Sequence, residues 1–96
     1  MAEVSVVEQA AGAYLVTVTD HAATTTHTVR VPEGLPQALG WGSVPVDELV
    51  RASFTFLLAR EPATSILRTF SLEQIGDYFP DYPATMARVL ADRTDP

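Results

Sequence analysis

The sequence predicts an α+β fold, and three observations carry that prediction. Residues 3 to 32 are rich in Val and Thr and alternate with period two, the signature of strands. Residues 36 to 93 carry apolar residues at helical spacing. Prolines at 32, 45, 62 and 80 divide the chain at the points where one pattern gives way to the next. The 96 residues make a single domain, 1–96, with a small core.

The first strand spans about 3–8, with Val4 and Val6 on one face. The second spans about 14–19, with Tyr14, Val16 and Val18 aligned, and the third about 25–31, with His27, Val29 and Val31 aligned. Placing Val6 opposite Val16, and Val16 opposite Val29, gathers these sets on a common face and closes the second hairpin between Asp20 and Thr25. The result is a three-stranded antiparallel meander with one wet face, which shows Thr26, Thr28 and Arg30. Three strands alone are marginal, so helices must cover the apolar face.

"PEGLPQALGWG" reads as a connector with one helical turn ending at Gly40. The long helix follows over about 45–60, with Asp47 and Glu48 in its first turn and Pro62 as its stop. Val46, Leu49, Val50, Phe54, Phe56, Leu57 and Leu58 occupy about half of its circumference at 100° per residue, more than a surface helix needs. One side of it therefore covers the sheet and the other meets either the C-terminal helices or a partner subunit. Short helices are expected at about 65–70, with Ile66, Leu67 and Phe70 inward, at 72–79 and at 82–92. Ser71 with Gln74 has the spacing of a capping box, and Asp81 can cap the last helix. Gly76 interrupts a short helix at a cost of about 1 kcal/mol relative to Ala, so it is expected to face a neighbouring helix at close range.

Composition restricts function. No cysteine is present, so disulfides and thiolate metal sites are excluded, and no stretch of 18 apolar residues is available for a membrane helix. No basic leader precedes Glu3, and a cytoplasmic location is the expectation. Twelve acids against six arginines give a net charge of −6, which disfavours a phosphate backbone and favours a basic or protein partner. Asp20, His21 and His27 are the only ligand-type cluster, and two groups across a flexible turn make a poor metal site, so no metal and no cofactor is expected. His27 is expected at the sheet margin with local hydrogen bonds. No nucleophile elbow or phosphate-binding glycine loop occurs, and the serines have simpler roles as caps. The reading is therefore a non-enzymatic regulatory or adaptor module that binds protein, as a homodimer. Trp41, Phe56, Tyr78 and Tyr82 are its candidate contact residues, because Trp and Tyr dominate binding hot spots. The same aromatics also suit core packing.

Three resemblances bear on this. "SLEQIGDYFPDYPATMARVL", residues 71–90, resembles the helix-turn-helix of bacterial repressors, through Leu72, Ile75, Gly76 and Phe79 in the first helix and Thr85, Met86 and Arg88 in the second. That likeness implies an alternative function, transcriptional regulation with Thr85 and Arg88 on DNA. From residue 64 onward three arginines face five acids, whereas DNA readers carry a positive excess. "VRVPEGLPQALGW", residues 29–41, is similar to a stretch of AbrB-type transcription factors. "ELVRASFTFLLAREPATSILRTFSLEQIGDYFP" resembles an uncharacterised family of small proteins from high-GC bacteria, a likeness that implies no activity.

Overall fold

A computed structural model describes residues 3–20 and 23–94 of the chain. Three strands, β1 (Glu3–Ala10), β2 (Ala13–Thr19) and β3 (Thr24–Arg30), form the antiparallel meander. A one-turn helix α1 (Leu35–Ala38) and the long helix α2 (Val46–Leu58) follow. The chain then makes a 3-10 turn at Ala63–Ser65 and enters a fourth strand, β4 (Thr69–Ser71), before α3 (Glu73–Tyr78) and α4 (Tyr82–Thr94). The sheet order is β1-β2-β3-β4, with β4 parallel to β3. The architecture is thus α+β with a mixed four-stranded sheet, one strand more than the sequence reading allowed.

The helix expected at 65–70 is replaced by this strand. Ile66 and Phe70 are buried as expected, while Leu67 is 52% exposed rather than inward. Apolar residues at 66, 67 and 70 fit a helical template, but an extended path lets this segment occupy the free edge of β3. There Thr28 N–H donates to the Arg68 carbonyl (2.6 Å) and Leu72 N–H to the Arg30 carbonyl (3.0 Å). Sheet context overrides local propensity here. Because Ser71 is held in β4, only half of the expected capping box forms: Gln74 Oε1 accepts the Ser71 N–H at 2.8 Å, and Leu72 takes the N-cap position of α3. The Ser71 hydroxyl is buried without a partner.

The β1–β2 register matches the reading, with Val6 opposite Val16 and Val4 opposite Val18. The β2–β3 register differs by two residues: Tyr14 faces Val29, Val16 faces His27 and Val18 faces Thr25. A shift of two keeps every side chain on its face, so the apolar pattern alone cannot select between the registers. The turn selects. Asp20 Oδ1 accepts the Ala23 N–H (2.9 Å) and Asp20 N–H donates to the Ala23 carbonyl (3.0 Å), an Asp-closed turn that sets the last pair at Thr19 and Thr24. Val31 lies beyond β3, and its N–H donates to the Gly12 carbonyl (2.8 Å). Gly12 adopts φ +75°, and a Cβ there would lie 3.3 Å from the Val31 carbonyl oxygen, so both conformation and contact favour glycine.

One apolar core lies between the sheet and the helices. Val16, Val18 and Val29 from the sheet meet Leu49, Val50, Phe54 and Leu57 of α2, and Leu72, Ile75, Tyr82 and Met86 of the C-terminal helices. The wide apolar face of α2 is accounted for within the chain, since it contacts β1 on one side and α4 on another. His27 is fully buried rather than marginal. Its ring packs on Phe54 with centroids 5.3 Å apart. Its Nδ1 lies 2.8 Å from the Leu67 carbonyl and its Nε2 2.9 Å from the Thr25 hydroxyl. A carbonyl only accepts, so Nδ1 carries the hydrogen, and His27 fastens the entry of β4 to β3.

Candidate functional site

The sequence-predicted contact residues fall in two environments. Trp41 is fully buried, and its Nε1–H donates to the Met86 carbonyl at 3.0 Å. Phe56 is 5% exposed and Tyr82 2% exposed. Their rings stack edge to face with centroids 5.2 Å apart, and Phe56 meets Phe79 in the same way at 5.8 Å. The Ser53 hydroxyl donates to the Leu49 carbonyl (2.8 Å), which leaves the Tyr82 hydroxyl to donate to Ser53 Oγ at 2.7 Å. Burial pushes the Tyr82 phenol up to about 12. These three aromatics are core residues of the chain. Tyr78 is the exception, at 68% exposed.

Tyr78 stands on the rim of an open groove of about 370 Å³. The last turn of α2 contributes Leu57, and the turn that follows the helix contributes Glu61. The lead into β4 contributes Ser65, Ile66, Leu67 and Phe70, and α3 contributes Gln74, Ile75, Tyr78 and Phe79. Helical spacing explains the α3 wall: 74, 75, 78 and 79 fall on one stripe. The groove is apolar along its floor, and Glu61 is the only lining residue with a charged side chain at neutral pH. Val7, Leu67 and Tyr78 are the exposed large hydrophobic residues among those described, and two of the three line this groove. The sequence reading named Tyr78 as a contact residue, placed Leu67 inward and Ile75 in the repressor-like helix, and gave Glu61 no role. No local signal marks them, because they meet only once β4 has docked on β3.

The residues of the DNA-reading alternative lie on α4. Arg88 is exposed, and the Thr85 hydroxyl donates to Asp81 Oδ2 at 3.4 Å. Arg60 also binds Asp81 Oδ2, at 2.7 Å, and this bond holds the Asp81 carboxyl below its usual range. The second cation of α4, Arg93, is paired with Glu48. Gly76 does not face a neighbouring helix: a Cβ built there meets nothing within 4 Å. The expectation of close helix approach at that position is therefore corrected. Of the Asp20, His21 and His27 cluster, His21 lies outside the described residues. No three His, Asp or Glu side chains converge among the described residues, and no described helix is long and apolar enough to cross a membrane.

No protein-family model, no curated protein and no solved structure matches this chain.

Proposed function

We propose that the chain is a non-enzymatic, homodimeric adaptor module that docks a short protein segment in the groove between the end of α2, the entry to β4, and α3. One observation carries this reading: Leu67 and Tyr78, both exposed, flank an apolar concavity with room for one or two large side chains. Apolar surface left open around a concavity marks a binding site more often than scattered exposed residues do. Glu61 on the wall sets the chemistry of the occupant, which is a segment with a large apolar anchor and a Lys or Arg beside it. Tyr78, amphipathic and at the rim, is its hot-spot residue.

The test is peptide display against the intact chain, followed by affinity measurement on the enriched sequences. Enriched peptides should combine an aromatic or aliphatic anchor with an adjacent cation. Tyr78→Ala should weaken their binding at least about tenfold, and Glu61→Gln by a smaller factor that vanishes at high salt. Enrichment of acidic peptides, or affinity indifferent to Tyr78→Ala, sinks this reading. Duplex DNA binding through Arg88 and Thr85 is the weaker proposal. It rests on the exposure of Arg88, and an Arg88→Ala change would flatten its salt slope by about one unit.

A further inference from the structure

The helices cover one face of the sheet only. On the other face project Ser5, Val7, Leu15, Thr17, Thr26 and Thr28, all exposed or half-buried and all uncharged. Two strand residues of opposite sign stand at opposite ends of this face. Glu3 lies in the row Glu3–Thr19–Thr24, and Arg30 in the row Ala13–Arg30–Ser71. Both are exposed, and neither has an ion-pair partner among the described residues. Six residues of strand and two strand widths separate them, about 22 Å along the diagonal.

We propose that this open face is the self-association surface of the chain, occupied by a second copy packed face to face through the Val7–Leu15 pair, with each Glu3 set against Arg30 of the other copy. The proposal rests on the homodimer reading above and assigns its interface. Face-to-face packing with two-fold symmetry requires an axis lying in the plane between the sheets. An axis perpendicular to the Glu3–Arg30 diagonal superposes each acid on the other copy's arginine. The same axis runs beside Val7 and Leu15, which are direct cross-strand neighbours, so the apolar pair meets its own copy at the centre. One diagonal of opposite charge is thus self-complementary, and the centre is apolar. The sheet edges do not compete. A register shift between Glu8 and Ala10 breaks β1, and Arg51 reaches across to the Val4 carbonyl, while β4 is only three residues long. Four strands by about 20 Å give roughly 400 Å² per copy, below what a permanent dimer buries, so the association is weak and concentration-dependent.

The experiment is sedimentation equilibrium of the full chain from about 10 μM to 1 mM, with amide chemical shifts followed over the same dilution. The parent should dimerise in the range of tens to hundreds of micromolar, and the concentration-dependent shifts should fall on Ser5, Val7, Leu15, Thr17, Thr26 and Thr28, not on the groove. Glu3→Arg and Arg30→Glu should each weaken dimerisation about tenfold, the double variant should recover to within about threefold of the parent, and Leu15→Glu should abolish it. A parent that stays monomeric at 1 mM overturns both this interface and the homodimer reading. A dimer that ignores the charge swap, or whose dilution shifts map elsewhere, overturns the interface alone. The shifts need no variant and so decide the matter even if one fails to fold.

Discussion

The two ends of α2 sit in different surroundings. Around Leu49, Val50 and Ser53 the buried side-chain polar groups have partners and the apolar surface is covered. The Ser53 and Tyr82 hydroxyls satisfy each other and the Leu49 carbonyl, Trp41 Nε1 is satisfied by Met86, and Arg93 bridges to Glu48 while lying 5.5 Å from the Trp41 ring. Beyond Leu57 the neighbours are a single 3-10 turn, a three-residue strand and a six-residue helix. Elements this short leave apolar side chains they cannot cover, among them Leu67 and Tyr78. Aromatic residues are present at both ends, so residue type does not separate structural from contact roles; the length of the surrounding elements does.

The sharpest way to break this comparison is to truncate one aromatic at each end. Trp41→Ala removes the largest fully buried side chain and its bond to the Met86 carbonyl, so it should destabilise by about 3–5 kcal/mol. Tyr78→Ala should stay within about 0.5 kcal/mol of the parent, as exposed sites do. Urea denaturation of both variants checks this. Comparable losses at the two positions would mean that the groove is part of the closed core.

The buried Tyr82 offers a second probe of the closed end, through pH. Its phenol is raised from 10.0 to about 12, so between those values the unfolded state loses its proton before the folded state does. The folded chain then binds more protons than the unfolded one, and stability must fall as pH rises. The contribution is complete below pH 10, and about 2–3 kcal/mol is lost by pH 12. Ultraviolet titration of the parent and the Tyr82→Phe variant checks this: the component that ionises near pH 12 should be lost in the variant.

Much of the fold was legible because it rests on patterns longer than six residues. Period-two alternation located β1, β2 and β3, and the apolar stripe of α2 located its span to within two residues. What was not legible depended on short or non-local interactions. Thr69–Ser71 is too brief for a period to show, and its identity as a strand comes from hydrogen bonds to β3 some forty residues away. The β2–β3 register was decided by one carboxylate in a turn. His27 is on the expected face, but its burial follows from the segment leading into β4, whose Leu67 carbonyl receives its Nδ1–H. At the candidate site the limit was similar. An aromatic in a single sequence has the same chemistry whether it fills a core or a contact, and only the packing of Trp41, Phe56 and Tyr82 distinguished them from Tyr78.

The smallest expected effect concerns Gly76, and it tests whether the open end is as loosely packed as described. A glycine inside a helix gives up about 1 kcal/mol relative to alanine through backbone entropy. Proteins accept that loss where a neighbour approaches too closely for a side chain, but at Gly76 a Cβ would meet nothing within 4 Å and the backbone is not left-handed. Nothing local therefore offsets the propensity gain of a substitution. Gly76→Ala should raise stability by up to about 1 kcal/mol, and the bulkier Gly76→Leu should melt close to the parent instead of showing the loss of roughly 1–3 kcal/mol that overpacking brings. Thermal melts of the two variants decide it. A marked loss in the leucine variant would mean that α4 lies closer to α3 than the present geometry places it. The close helix approach inferred from the repressor-like spacing would then be restored, and with it the case for testing Arg88 on DNA.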